Sequence, residues 1–190
     1  MALENEMERF KPGDAVFILP KFAHLYPRHS AVIAAIKLDP FRPMFNEFAV
    51  EFADGSSAMI FEFQLIEDIP RYTTVIACQV FDSRQQMATT HARGHTTGSQ
   101  IILQTTRFDL DVKIRTTKSR GSIMGQILER DTTTLLPHLE IRLLKDGMPL
   151  GSTTSDSSGT FKFSDVPRGS LNILVVIPQH SLRILGSFSM

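Results

Sequence analysis

The sequence is poor in cysteine, tyrosine and tryptophan, and it has no long apolar run. Its one cysteine excludes an intramolecular disulfide and indicates a reducing compartment. No basic start leads into an apolar stretch of the kind that a secretory signal requires. No stretch approaches the length of a membrane-spanning helix either. We therefore expect a cytoplasmic protein that has no membrane partner.

The chain also lacks a net charge, but its two parts differ in sign. Residues 1–68 contain 6 Lys and Arg against 11 Asp and Glu, which gives a net charge of −5. Residues 71–190 contain 14 against 9, which gives +5. This asymmetry indicates two units, which either attract each other or face different partners. Neither part is basic enough to indicate nucleic-acid binding by itself.

Phenylalanine is abundant, with 14 residues, and β-branched residues recur in short runs, which is typical of a β-rich protein. The clearest hairpin spans residues 46–68. Its first strand alternates apolar side chains with polar or small ones up to Asp54-Gly55, which predicts a type I′ turn. Its return strand carries Met59, Phe61 and Phe63 or their neighbours. Four or five short strands in residues 10–68 predict a small closed barrel.

Residues 10–68 resemble the SH3-like small barrels, including the KOW and Tudor types. The resemblance lies in "KPGDAVFIL" (Lys11–Leu19), the loop "PKFAHLYPRHS" (Pro20–Ser30), the strand after it and the Asp54-Gly55 hairpin. It implies a barrel whose loops present aromatic and basic side chains to a peptide or to a strand of nucleic acid.

Residues 72–190 predict an antiparallel β-sandwich, with lead-in strands at 72–82 and 100–116 and a core at 122–190. In residues 108–116, apolar side chains alternate strictly with charged ones, which predicts a half-buried strand with an ionic outer face. Residues 83–99 are polar and lack periodicity, so we expect a long, mobile loop there.

A more specific pattern lies in residues 122–190. The residues that carry it are Gly125, Ile127, Ile141, Leu143, Thr153, Asp156, Gly159, Phe161, Phe163, Val166, Pro167 and Gly169. This pattern resembles the carboxypeptidase-regulatory-like domains, also described as transthyretin-like or collagen-adhesin-B-like. The resemblance implies a β-sandwich and no reaction, because these domains are generally non-catalytic. The lead-in segment is similar to one that precedes such domains in some bacterial proteins. The predicted fold is thus all-β, with an SH3-like barrel followed by a transthyretin-like sandwich.

Asp156 and Asp165 are the first candidates for a site, because carboxylates and hydroxyls at short spacing bind calcium. The two carboxylates are separated by Phe161 and Phe163, however, and do not converge in sequence. The favoured interpretation is a turn in which Asp156 and Ser155 bond the backbone while Gly159 takes a positive φ.

His91 and His95 have a spacing that binds zinc on a helix, but the segment lacks a helical pattern and a third ligand. His24 and His29 also lack ligating companions, so we predict no metal and no cofactor. Cys78 is predicted to be a buried small apolar residue on the strand face of Ile76 and Val80, rather than a nucleophile. No nucleophile elbow, phosphate-binding loop or dinucleotide fingerprint occurs, so we predict no catalytic residues.

The loops offer the best candidates for binding a partner. In the barrel these residues are Phe22, Tyr26, Arg28, Phe41, Arg42 and Phe45, and in the basic loop at 83–98 they are Arg84 and Arg93. The alternative is that the barrel phenylalanines fill the barrel ends or pack on the second unit. We expect non-enzymatic protein–protein interaction, by an accessory or adaptor subunit of a bacterial complex.

Two other functions stay open on the sequence alone. The barrel binds nucleic acid if Lys21, Arg28 and Arg42 contact phosphates, and its affinity then falls steeply with salt. The chain is an enzyme if scattered His and carboxylate side chains meet in a site between the two units.

Overall fold

The computed structural model describes residues 9–42, 45–69, 71–87 and 98–190. The chain is all-β and divides into two compact units, Met1–Arg71 and Tyr72–Met190. None of the helices within these described ranges is long and apolar enough to cross a bilayer.

The first unit is one antiparallel sheet with the strand order β4-β3-β2-β1-β5. Its strands are β1 (Ala15–Ile18), β2 (Ser30–Lys37), β3 (Glu47–Phe52), β4 (Ser57–Phe61) and β5 (Leu65–Glu67). A one-turn helix, α1 (Pro20–Ala23), follows β1, and a 3-10 helix, Glu62–Gln64, joins β4 to β5. The sheet curls, since side chains from all five strands meet in a single core. Strands β4 and β5 end the order and do not pair with each other, so the sheet is open, whereas the sequence predicted a closed barrel.

Strict alternation builds that core. On β3, Phe48, Val50 and Phe52 are buried, as the sequence predicts. On β4, Ile60 is the buried residue, so its neighbours Met59 and Phe61 point to the opposite face of the sheet. The register of β4 therefore decides which aromatic side chains reach the surface.

The hairpin between β3 and β4 is confirmed, but the prediction of a type I′ turn is wrong. Gly55 has a φ of 81°, and Asp54 is not among the non-glycine residues with positive φ. The Gly55 N–H donates to the Phe52 carbonyl at 2.9 Å, which closes a turn around Ala53 and Asp54. A type I turn followed by one left-handed glycine explains both observations, because the loop has an extra residue.

The described residues of the second unit, 72–87 and 98–190, form ten strands and one short α-helix. They are β6 (Thr73–Asp82), α2 (Ser83–Met87), β7 (Gly98–Gln104), β8 (Phe108–Thr116), β9 (Arg120–Glu129), β10 (Thr134–Leu135), β11 (Glu140–Lys145), β12 (Met148–Thr154), β13 (Thr160–Pro167), β14 (Ser170–Ile177) and β15 (Leu182–Ser189). A 3-10 helix, Pro178–His180, joins β14 to β15.

Strand β6 belongs to both layers of this unit. Its residues 73–77 pair with β15, which continues through β14 and β11 to β12. Its residues 78–82 pair with β7, which continues through β8 to β9, and β9 also pairs with β13 and β10. Both layers contribute to one buried core, so the unit is a two-layer sandwich. We predicted an antiparallel sandwich, but the β15–β6 pair is parallel. Parallel pairing is possible there because the two segments are distant in sequence and no hairpin joins them.

Gly125, on β9, is a position where the fold has no room for a side chain. A Cβ atom at this position would lie 2.5 Å from Cζ of Phe161 and 2.7 Å from the Asp111 carbonyl oxygen. The buried Phe161 ring thus packs directly on the backbone of β9, and only glycine leaves room for it.

The prediction of a loop from residue 83 onwards is wrong for residues 83–87. They form helix α2, where the Asp82 carboxylate accepts a hydrogen bond from the Arg84 N–H at 2.9 Å. Acceptors of this kind favour a helix start. The remainder of the segment, with His91, Arg93 and His95, lies outside the described residues.

Candidate partner-binding surface

The loop after β1 places two predicted residues on the core of the first unit. Pro20 begins helix α1, where its fixed φ suits the first helical position and its missing N–H is no loss. Phe22 and Tyr26 are partly buried and pack against the core cluster. The Tyr26 hydroxyl donates to Gln64 Oε1 at 3.3 Å.

Gln64 fixes the segment between β4 and β5. Its side chain is buried, and its Oε1 also accepts the Phe61 N–H at 2.9 Å. Its backbone carbonyl accepts the Leu19 N–H at 2.9 Å. A buried amide with its acceptor satisfied twice holds the 3-10 helix, and with it Phe61 and Phe63, in one position.

The loop between β2 and β3 is fixed by Asp39 and Asn46. Asp39 Oδ1 accepts the N–H groups of Phe41 and Arg42 at 2.9 and 3.0 Å. Asn46 Oδ1 accepts the Asp39 N–H at 2.9 Å, and Asn46 Nδ2 donates to Glu62 Oε2 at 3.2 Å. This bridge from the loop to the 3-10 helix sets the position of Phe45.

Four phenylalanines from three segments meet on the surface of the first unit, and we call them the aromatic cluster. Phe61 and Phe63 stack with ring centroids 5.5 Å apart and planes 9° apart. Phe45 approaches both edge-on, at 6.0 and 6.3 Å. Phe22 approaches Phe63 edge-on at 5.7 Å. These centroid distances lie in the range where aromatic pairs attract each other.

Two cations border the aromatic cluster. The Arg42 guanidinium lies 5.0 Å from the Phe45 centroid, and Lys21 Nζ lies 5.5 Å from the Phe22 centroid. Arg42 is also paired with Asp39, with 3.3 Å between Nη2 and Oδ2. The Phe41 N–H bond, followed by the bonds and charge of Arg42, lowers the pKa of Asp39. The Asp39 carboxylate therefore stays ionised, and paired with Arg42, at neutral pH.

The cluster is open to solvent on the side of the β2–β3 loop. Phe45 is 39% exposed, and Phe41 is 89% exposed. Large exposed apolar side chains next to one another are typical of interaction sites.

The structure thus brings together Phe22, Arg42 and Phe45 among the predicted residues, with Phe41 beside them in the chain. Arg28 lies elsewhere, because its Nε pairs at 3.7 Å with Asp54 in the β3–β4 turn, at the other end of that hairpin. Sequence reasoning missed Phe61 and Phe63 as surface residues. The available signal was the position of Phe61 directly after Ile60. If Ile60 faces the core, the next residue of the strand faces outward, and Phe63 follows on the other side of Glu62.

Arg84 belongs to the second unit and is bonded within it. Its guanidinium pairs with Asp82, with 2.6 Å between Nη2 and Oδ2, and its Nη1 donates to the Ser189 carbonyl at 2.7 Å. Hydrogen bonds from Arg84 lower the pKa of Asp82 despite burial, so the pair is ionised at neutral pH. Arg93, the other predicted residue of this unit, lies outside the described residues.

The turn interpretation of Asp156 is confirmed. Its Oδ1 accepts the Ser158 N–H at 2.8 Å, the Ser158 hydroxyl at 2.7 Å and the Thr160 N–H at 2.9 Å. These bonds, the Ser158 hydroxyl first, lower the pKa of Asp156. Gly159 has a φ of 71°, as predicted. Ser155 differs from the prediction, because its buried hydroxyl bonds the Leu139 N–H and the Leu136 carbonyl instead of the turn.

Asp165 has a separate role. It lies in a bulge of β13 with a φ of 60°, and its carboxylate pairs with Arg120. Across the described ranges, no group of three or more His, Cys, Asp or Glu side chains is placed to hold a metal ion.

Cys78 is exposed, so the prediction of a buried thiol is wrong. Ala77 is the residue of β6 that enters the core, which turns Cys78 and Val80 to the outer face.

The outer face of the same layer has a hollow of about 190 Å³ lined by Asp111, Lys113, Met124, Gly125, Gln126 and Thr160. The Asp111 carboxylate there accepts hydrogen bonds from Gln100.

No family model, curated protein or solved structure matches this chain. The geometry of the aromatic cluster is therefore the basis for the functional argument.

Proposed function

We propose that the chain is a non-enzymatic protein-interaction module, an accessory or adaptor subunit that binds a partner protein through the aromatic cluster. The observation that carries this proposal is the cluster itself. Four rings bordered by Arg42 and Lys21 form an apolar surface with a cationic rim, and the exposed Phe41 directly precedes Arg42 in the chain.

The residue types support a protein partner. Aromatic side chains and arginine are enriched at protein interfaces. An aromatic ring buries a large area and orders only two rotatable bonds. Gln64 and Asn46 hold the rings in place through hydrogen bonds before any partner arrives. A surface that is already ordered loses less conformational entropy on binding.

The second unit serves as a scaffold in this proposal. Its Asp156, Asp165 and Arg84 are engaged in turns and ion pairs, which accounts for them without a reaction. Placement in the bacterial cytoplasm is part of the same proposal and rests on the single cysteine and on the sequence resemblance.

Nucleic acid is the second candidate, since stacked rings beside cations also bind single strands. The ion pairs weigh against it. Arg28 pairs with Asp54 and Arg42 with Asp39, so phosphate contacts would have to replace existing carboxylate partners. The −5 charge of residues 1–68 also repels a polyanion.

The test is comparative affinity purification from cells of the organism that encodes the chain, with quantitative mass spectrometry. Phe45→Ala removes the ring that contacts Phe61 and Phe63. Leu150→Ala is the matched control, because Leu150 is 42% exposed on β12 of the second unit. We expect one protein to co-purify with the wild type and the control, and to fall at least tenfold with Phe45→Ala.

Equal recovery with all three chains would contradict the proposal. Binding of a 15-nucleotide oligothymidylate, measured at low and high salt, separates the alternative. A steep loss of affinity with salt would favour nucleic acid instead.

A further inference from the structure

Strand β4 is an edge strand of the sheet in the first unit, because among the described strands it pairs only with β3. Past the end of β4, the Glu62 N–H donates to the Asn46 carbonyl at 3.0 Å, which continues the ladder between β3 and β4. Bonded pairs alternate along an antiparallel ladder, so the backbones of Ala58 and Ile60 are the ones that bond β3.

The residues between them face the other way. By the same alternation, the N–H and C=O groups of Ser57 and Met59 point away from β3. No hydrogen bond reaches these four groups from any residue that the structure describes. The Phe61 N–H is the next in this row, and Gln64 occupies it. The free edge therefore ends where the aromatic cluster begins.

This edge also lacks the usual protection against pairing. Its sequence, Ser-Ala-Met-Ile-Phe, has no charged residue and no proline, and its register with β3 has no bulge. Edge strands are normally blunted by such features. In contrast, the edge strand β13 carries Lys162, a bulge and Pro167, and β5 has only three residues.

We propose that β4 accepts an extended segment of a partner protein as a sixth strand, bonded to Ser57 and Met59. This inference rests on the proposed function and specifies how the partner binds. The outward N–H and C=O groups of Ser57 and Met59 can bond two residues of an incoming strand that are separated by one position. Only a backbone in extended conformation presents donors and acceptors at that repeat.

The surroundings define the chemistry of the segment. Side chains of the added strand that share the face of Met59 and Phe61 meet Met59, which is 51% exposed, and then the aromatic cluster. They are therefore apolar at alternate positions. Glu51 lies on the same face, opposite Ser57 in the register. A basic residue at the end of the segment near Ser57 complements it, and the negative charge of residues 1–68 disfavours pairing with the same edge of a second copy.

The probe is a random decapeptide display library, selected on the full-length chain. We expect selected peptides with alternating apolar residues and a terminal Lys or Arg. In complex with the tightest peptide, we expect amide hydrogen exchange at Ser57 and Met59 to slow at least tenfold. Methylation of the peptide backbone nitrogens at alternate positions lowers affinity at least tenfold, whereas methylation at the intervening positions changes it less than twofold.

A pair of protein variants tests the backbone separately from the side chain. Met59→Pro removes an N–H that bonds no described group, so the β3–β4 ladder keeps its bonds. We expect at least tenfold weaker binding for Met59→Pro and less than a threefold change for Met59→Ala. If Met59→Pro fails to fold, the methylated peptides decide the matter on the wild-type chain.

Three results would overturn this inference. The first is affinity that is insensitive to backbone methylation at every position. The second is dimerisation of the chain with protection of Ser57 and Met59, which would identify a second copy as the occupant. The third is selection of peptides that require Phe45 but leave both amides unprotected, in which case the proposed function stands and strand addition fails.

Discussion

Replacement of Gly159 by alanine tests the turn that organises the second unit. Gly159 has a φ of 71°, and the left-handed conformation costs a residue with a Cβ about 1–2 kcal/mol. The added Cβ would also lie 3.2 Å from Leu135 Cβ and 3.2 Å from the Leu136 carbonyl oxygen. Because a backbone atom does not move aside easily, we expect a total loss of about 2–3 kcal/mol.

The matched control is Gly151→Ala in the neighbouring strand β12. Gly151 has no positive φ, and a Cβ there meets nothing within 4 Å. An alanine in a strand gains up to about 1 kcal/mol over glycine, so we expect this variant to be neutral or stabilised. The pair thus compares the same chemical change with and without the left-handed turn.

Urea denaturation of the full-length chain measures the difference. Far-UV circular dichroism is the suitable signal, because the chain has no tryptophan. With a slope of about 1.5 kcal/mol per molar urea, the Gly159→Ala midpoint should fall by about 1.5 M at unchanged slope. Midpoints that are equal for the two variants would refute the argument that this turn needs glycine.

Three further predictions concern the second unit. Gly125→Ala should lower stability by about 1–3 kcal/mol and reduce the thermal midpoint, because the Phe161 ring occupies the space of the Cβ; an unchanged midpoint contradicts that packing. Asp156 has a lowered pKa when folded, so its contribution is present above the unfolded pKa and is lost as pH falls through the folded one; Asp156→Asn should flatten the acid limb of a stability–pH curve, and an identical limb contradicts the assignment. Cys78 should react with Ellman's reagent in the native state at close to the rate of the unfolded chain, and strong protection would place it in the core.

The turns and strands of the second unit were largely predictable, because their causes are local. Asp156 and Gly159 lie within one turn, and their bonds form between neighbours in sequence. Phe161 and Phe163 alternate on one strand, so their shared burial follows from the period of two. The parallel pairing of β6 with β15 had no such signal, because it joins residues more than 100 positions apart.

The aromatic cluster was predictable only in part. Phe22, Arg42 and Phe45 stood out as aromatic and basic residues in loops. Phe61 and Phe63 did not, because a strand's alternation gives two faces and the sequence does not say which one is inside. Ile60 takes the core position on β4, which turns Phe61 to the other face, and Phe63 follows in the 3-10 helix, so both rings stay only partly buried. Cys78 was misplaced for the same reason on β6.

The most direct test of the central claim is photo-crosslinking in living cells with p-benzoylphenylalanine at position 41. Phe41 is 89% exposed and adjoins Arg42, so the probe should leave the fold intact. Position 150 is the control, because Leu150 is exposed on strand β12 of the second unit. We predict a discrete covalent adduct with one protein from position 41 and none from position 150. Equal labelling from both positions, or crosslinking to nucleic acid instead of protein, would contradict it.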